Sequence, residues 1–257
     1  MGKVSHLDLK ELVKGLQATR LLYWEDTYIK EFDASLLRVE PDGQKYVYLI
    51  LDRTAFHPKS GGQPADLGVI SGSGWQAKVR KVIMVGGVIV HWVQILSGKV
   101  EGNAVKGIID WDWRYLLMRR HTAGHLFDHC LTVVTGTPVR TMGSWLGEGC
   151  SVSYAGKPPS KEALERAEKM ELELIRKGLL VRVEVIPQSE LMRVAPTAPN
   201  IQRLPTMADR IRVVTIEGCK PIPCGGTHVH NTREIGQFKI LGVREKEEDY
   251  DLIYDVK

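Results

Sequence analysis

The spacing of apolar and polar positions changes character near residue 110. Residues 6–18 carry Leu9, Leu12, Val13 and Leu16 on one helical face and predict a short amphipathic helix. After it, apolar residues come in brief β-rich runs: SLLRVE, YVYLILDRTAF, LGVISG, WQAKVRKVIMVGGVIVHWVQI and AVKGIID. Gly, Pro and Asp turns separate them, which predicts a small antiparallel sheet or barrel. Beyond residue 110 a helical period takes over in DWDWRYLLMRRHTAGHLFDHCLTVV, with Asp110 or Asp112 able to cap its start. SKEALERAEKMELELIRKG predicts a second helix. Its expected N-cap is Ser160, its stop Gly178, and its apolar stripe Ala163, Ala167, Met170 and Leu174. Glu162–Arg166 and Glu165–Lys169 have the spacing of helix-surface ion pairs. LLVRVEVIP and RIRVVTIEG read as strands around the irregular, Pro-rich RVAPTAPNIQRLPTM, and EIGQFKILGVREKEEDYDLIYDV reads as a hairpin.

Composition narrows the function little. No apolar run is long enough to span a membrane, and the charged N-terminal stretch lacks the apolar core of a signal peptide, so a cytoplasmic protein is expected. The formal net charge of +4 permits a polyanionic partner without requiring one. The four cysteines, Cys130, Cys150, Cys219 and Cys224, are too sparse for a disulfide framework and favour a metal or reactive role.

Two short motifs carry the chemistry. HTAGH places His121 and His125 four residues apart on the predicted helix, with Cβ atoms about 5–6 Å apart on one face. CGGTHVHNTREIG places Cys224 and His228 four apart. Either pair alone is read as packing or surface residues. Together they supply three histidines and one cysteine, a tetrahedral zinc set. Nearly a hundred residues separate the halves, too many for a zinc finger, so a folded domain must bring them together. His129 follows His125 by four, but the helix drifts by about 40° over that interval. It is read as packing or solvent contact. Cys219 precedes Cys224 across the Pro-rich CKPIPC, which disfavours a Cys–Cys ligand pair. Thr122 stands where an H-E-x-x-H peptidase carries its general base, so the peptidase reading lacks its catalytic carboxylate.

RRHTAGHL, CGGTHVHNTREIG and the glycine-rich LDRTAFHPKSGGQPADLGVI (51–70) together resemble the editing domain of alanyl-tRNA synthetases and the free-standing AlaX-type trans-editing proteins. DWDWRYLLMRRHTAGHL resembles the family's approach to the first motif. The likeness runs from roughly Tyr23 to Ile240, and no stretch resembles the aminoacylation domain. The chain departs from the pattern at His57, where the family often has Tyr, and at Lys59, where it often has Glu. The N-terminal helix is an addition, and DYDLIYDVK is short of the usual Arg-rich closing strand.

The resemblance implies an α+β chain. Residues 1–19 would be a helical extension, 20–109 a small antiparallel β-barrel-like domain with the glycine motif, and 110–257 a helix-and-antiparallel-sheet editing domain with a zinc site. It implies hydrolysis of mischarged tRNA(Ala), chiefly Ser-tRNA(Ala) and also Gly-tRNA(Ala), sparing Ala-tRNA(Ala). The tRNA(Ala) acceptor end would be the partner. One zinc per chain would be held by His121, His125, Cys224 and His228. Gln63 and Thr122 are the candidate catalytic residues, and Gly61, Gly62, Thr141 and Thr227 the candidate substrate-binding residues. Simpler explanations stay open. Gly61–Gly62 can be a turn, Thr122 can back-bond to its helix, and Thr227 can serve strand propensity. Arg114, Arg119 and Arg120 beside the first motif, and Lys78, Arg80 and Lys81 on a strand, are candidate phosphate contacts or ordinary solvated charges. Two other functions remain open: a noncatalytic tRNA-binding module with a structural zinc, and a zinc hydrolase of another ester or amide.

Overall fold

The computed structural model describes residues 8–204 and 209–257. Residues 6 and 7 of the predicted first helix, and 205–207 of the Pro-rich stretch with the residue after it, lie outside them. Contacts divide the chain into two units. One runs to Lys59 and resumes over Ala65–Arg114; the other comprises Ser60–Pro64 and Tyr115–Lys257. The class is α+β.

The first unit begins with helix α1 (Leu9–Val13), capped by the Asp8 side chain on Lys10 N–H. It is shorter than the apolar spacing predicts, because Gly15 turns the chain with φ at 76°. Leu12 nevertheless packs on Ile50, Val88 and Val90, so the short helix still covers an apolar patch. Six strands then close a barrel: β1 (Glu31–Pro41), β2 (Tyr46–Leu51), β3 (Gly68–Gly72), β4 (Trp75–Val85), β5 (Val88–Ser97) and β6 (Ala104–Ile109), in the order β1-β2-β5-β4-β3-β6. All neighbours are antiparallel. Alternation fills the interior with Leu49, Leu51, Ile70, Ala77, Val79 and Val93. Closure leaves the barrel no edge strand to pair with another chain. His91 is also buried there, between Thr54 Oγ1 at 2.9 Å and the Leu49 carbonyl at 3.2 Å. Burial pushes its pKa down to about 4, so it is neutral at physiological pH.

The second unit is organised on helix α2 (Trp111–Thr135), whose residues from Tyr115 onward belong to it. Asp110 Oδ1 accepts from Trp113 N–H at the start, as the sequence predicts. The helix lies on a four-stranded sheet of β7 (Thr141–Trp145), β8 (Ser151–Ala155), β12 (Phe238–Glu245) and β13 (Asp249–Val256), in the order β12-β13-β8-β7. Phe127 stacks on Phe238 with ring centroids 5.3 Å apart, and Tyr254 donates to the Arg120 carbonyl. Strands β9 (Val181–Pro187), β10 (Arg210–Ile216) and β11 (Ile222–Pro223) form a second, three-stranded sheet.

Helix α3 (Lys161–Lys177) starts and ends as predicted, with Ser160 capping Ala163 N–H and Gly178 left-handed at φ 74°. Its buried face matches the prediction only in part, at Ala167. Ala167, Glu171 and Ile175 are buried, while Ala163, Met170 and Leu174 lie at the margin. The apolar pattern is satisfied at its edge because an acidic residue occupies its centre. Glu165 pairs with Lys161, at 3.8 Å, one turn back rather than one turn on.

Candidate metal centre

Helix α2 presents His121 and His125 on one face, and the loop after β11 presents Cys224 and His228. One ligating atom from each of the four lies within 4.8 Å of the others. Cys224 Sγ is 3.3 Å from His121 Nε2 and 3.4 Å from His228 Nε2. Tetrahedral ligands at ordinary zinc bond lengths stand about 3.4–3.6 Å apart, so these spacings already suit a shared ion. His129 and Cys219 are not in the cluster; both line a neighbouring cavity.

The surrounding hydrogen bonds fix how the rings are presented. Gln63 is fully buried, and its Oε1 lies 3.0 Å from His121 Nδ1 and accepts Thr227 N–H at 3.0 Å. An amide oxygen can only accept, so His121 carries its proton on Nδ1 and turns a bare Nε2 toward Cys224. Gln63 Nε2 donates to Thr227 Oγ1 at 2.9 Å. Thr122 does the equivalent for His228. Its hydroxyl donates to the Met118 carbonyl at 2.9 Å, while its oxygen receives Val229 N–H and faces His228 Nδ1, each at 3.2 Å. Thr122 therefore back-bonds to its helix and orients a histidine at once. The Nδ1 of His125 is buried without a hydrogen-bond partner among the described residues, a polar atom in want of a bond. Burial pushes His125 down to about 4, so it is a neutral imidazole able to ligate. Burial raises the Cys224 thiol, while Gly226 N–H and Arg212 pull it the other way. Donor types, spacing, tautomers and the orphaned nitrogen all fit a metal ion.

Two glycines are required by close approach. A Cβ on Gly226 would overlap the His121 ring and Gln63 Oε1. The second glycine of CGGTH is thus what lets the Cys224 loop close on the helix. Gly62 has φ 86°, and a Cβ there would overlap Ser144. Its carbonyl accepts Leu146 N–H at 3.0 Å, and Ser144 Oγ donates to the Gly61 carbonyl at 3.0 Å. The Gly61–Gly62 turn is thereby fastened to the β7 strand. Gly61 itself borders open space. Thr227 is fully buried beside Gln63, whereas Thr141 opens β7 with its N–H on the Pro199 carbonyl.

Some contributors carry no sequence signal. Arg212, buried on β10, donates through Nη1 to the carbonyls of Cys224 and Gly226 and so holds the ligand loop from behind. A cation inside a run of strand residues looks like a surface charge until the fold is known. Beside His125 lies a cavity of about 400 Å³ lined by Asp128, His129, Thr132, Thr197 and Lys220 among others. The three arginines near the first motif are committed elsewhere. Arg114 is paired with Asp66 with both side chains fully buried, Arg119 donates to the Ile235 carbonyl, and Arg120 pairs with Asp255 at 2.9 Å. Each therefore has a structural task within the chain.

Comparison with known proteins places the chain among synthetase and editing-protein sequences. Residues 4–113 match the model of class II (A) tRNA synthetases, and residues 211–251 match the threonyl and alanyl tRNA synthetase second additional domain. An alanine–tRNA ligase of Pyrococcus abyssi is 39% identical over 90% of this chain, which spans 25% of that ligase. The alanyl-tRNA editing protein AlaX-M of Methanosarcina barkeri is 34% identical over 89% of this chain and 94% of its own length. The alanyl-tRNA editing protein AlaX-L of Pyrococcus horikoshii is 32% identical over 88% of this chain and 54% of its own. The chain thus spans about a quarter of the ligases it matches and nearly the whole of AlaX-M.

Proposed function

The chain belongs to the AlaX family of alanyl-tRNA editing proteins, and from that premise we propose that it is a zinc-dependent aminoacyl-tRNA deacylase acting in trans on mischarged tRNA(Ala). The observation that carries the reading is the Cys–His₃ cluster, with both outer histidine tautomers set for ligation. One zinc per chain would be held by His121, His125, Cys224 and His228, where soft thiolate and imidazole donors in a tetrahedral arrangement suit that ion. A zinc ion there would supply Lewis-acid polarisation or grip the substrate's amino group.

The chain's own residues do the positioning. Gln63 and Thr122 act through His121 and His228, holding each ring in one tautomer and one orientation. Gly61 and Gly62 form a turn fastened to Ser144 and Leu146, with Gly61 exposed so that a substrate can approach its backbone closely. Peptide groups of such a turn can stabilise the charge that develops on the ester carbonyl. The Thr227 hydroxyl accepts from Gln63 and still has its own proton to donate, and Thr141 offers a second hydroxyl. Either supplies the partner that a serine side chain would satisfy and an alanine side chain would leave unpaired.

The expected substrates are Ser-tRNA(Ala) first and Gly-tRNA(Ala) second, with Ala-tRNA(Ala) spared. The acceptor end of tRNA(Ala) is the expected partner and the cytoplasm the expected location. No helix among the described residues is long and apolar enough to cross a membrane. Initial deacylation rates on the three aminoacyl-tRNAs at equal concentration test the reading. Serine should be released fastest and alanine slowest. Equal release of serine and alanine would contradict proofreading, and tRNA binding without release of any amino acid would favour a noncatalytic module.

A further inference from the structure

On the outer wall of the barrel, strands β2, β5 and β4 bring aromatic rings and cations into one patch. The register sets Tyr46 opposite Gln94 and Tyr48 opposite Trp92. On the other side of β5, Lys78 lies opposite Gln94 and Lys81 opposite Trp92. Simple alternation would send Arg80 and Lys81 to opposite faces. A bulge between Val79 and Lys81 instead leaves Lys78, Arg80 and Lys81 all exposed, while Val79 and Val82 remain in the core. The extra residue thus adds a third cation to the outer wall.

The patch is organised by hydrogen bonds and stacking. Tyr46 and Trp92 stack with centroids 4.5 Å apart and planes 7° from parallel. Lys81 Nζ lies 4.8 Å from the centre of the Trp92 ring. Asp42 accepts from Trp92 Nε1 at 2.6 Å and also bonds Tyr48, pinning the edges of both rings. Arg80 bonds Gln94 Oε1 through Nε at 3.1 Å and Nη2 at 2.6 Å, which spreads its guanidinium along the wall. Among the described residues, none of Lys78, Arg80 and Lys81 is in an ion pair, whereas Arg20, Lys99 and Lys106 of the same unit pair with Glu25, Glu101 and Glu31. Of the neighbouring carboxylates, Asp42 is occupied with the aromatic edges, and Glu40 lies opposite Tyr48 on β1 without an ion pair to the three cations among the described residues. Three uncompensated cations interleaved with fixed aromatic rings complement a phosphodiester backbone and the faces of sugars and bases.

We infer that this wall of the barrel is a docking surface for RNA, occupied by the body of the tRNA whose charged end is edited. The inference rests on the proposed deacylase reading for the identity of the RNA, but the surface is argued from its own charge and aromatic arrangement. Its contribution is to binding and not to bond cleavage.

The test uses the full chain with Lys78, Arg80 and Lys81 all replaced by Gln. A control removes three exposed charges from helix α3 (Arg166, Lys169 and Lys177 to Gln). Equilibrium binding of uncharged tRNA(Ala) is measured between about 50 and 200 mM salt, together with hydrolysis of a 3′-seryl ester of a single adenosine. The barrel variant should bind tRNA at least about tenfold more weakly, with a salt slope shallower by about 2–3, as expected for three lost phosphate contacts. It should hydrolyse the minimal ester at the parent rate and melt at the parent temperature. The helix variant should bind like the parent. Unchanged affinity and slope in the barrel variant would overturn the surface, as would equal losses in both variants, which would show an effect of net charge alone. Failure of the parent itself to hydrolyse both this ester and Ser-tRNA(Ala) would sink the deacylase reading, and a salt-sensitive tRNA complex weakened only by the barrel substitutions would still uphold the RNA surface.

Discussion

At the scale of single residues, the centre depends on groups that never touch the ion position. Gln63 joins the two ligand motifs by meeting His121 with its carbonyl and Thr227 with both ends of its amide. Gly226 gives that arrangement the space it needs. Gln63→Ala should therefore weaken zinc binding by about 10–100-fold, the usual effect of losing a group that orients a ligand, and deacylation should fall with it at limiting zinc. Competition with a chromophoric chelator measures this, and excess zinc should restore part of the activity. A variant with parental zinc affinity and lost activity would instead place Gln63 against the substrate. Gly226→Ala should disturb the ligand loop more severely, because no side-chain rotation relieves an overlap with a ring and an amide. Loss of bound zinc in the purified variant checks it. The four candidate ligands could be read from two i, i+4 pairs taken together. The tasks of Gln63 and Arg212 could not, since a partner 164 positions away, or a cation buried on a strand, leaves no local pattern.

Among the elements, the barrel strands and both long helices announce themselves through their periods and caps. Strands β7 and β8 do not: TMGSW and SVSYA are short, small and polar, and their pairing is decided by the sheet beneath α2. The slipped face of α3 has a physical consequence. Among the described residues neither buried carboxylate oxygen of Glu171 has a hydrogen-bond partner, and burial together with nearby Asp128 raises its pKa well above the usual range. Asp128 is likewise pushed up to about 7 by burial, against the pull of the Tyr154 hydroxyl at 2.7 Å. Its folded pKa lies above the unfolded value of about 3.9, so the folded state holds a proton that the unfolded state has released. The resulting stability is complete below about pH 4 and is lost as pH rises through about 7. Asp128→Asn keeps a neutral side chain at every pH. The gap in melting temperature between Asp128→Asn and the parent should move in favour of the variant by about 5 °C or more from pH 5 to pH 8. A gap that does not change with pH would show that Asp128 ionises freely in the folded protein. Glu171→Gln tests the same packing and should shift in the same direction.

For the molecule as a whole, the proposed activity combines a compact metal centre in one unit with a basic, aromatic wall on the other. Selectivity must run opposite to that of a pocket that charges alanine. An apolar pocket rejects an added hydroxyl by only about a hundredfold, whereas an unpaired buried polar group can reject the analogue that lacks it by about 10⁴-fold. Release of serine should therefore exceed release of alanine by a wide margin, and Thr227→Val should narrow that margin by raising relative loss on the serine substrate. Equal selectivity in Thr227→Val and the parent would move the hydroxyl partner to Thr141. The most direct measurement follows metal content and serine release from Ser-tRNA(Ala) in the same samples: the purified parent, the chelated protein, the protein with zinc restored, and Cys224→Ala. The expected result is about one zinc per parent chain, loss of release on chelation, recovery with added zinc, and neither zinc nor release in Cys224→Ala. Full serine release from protein shown to contain no zinc would contradict it.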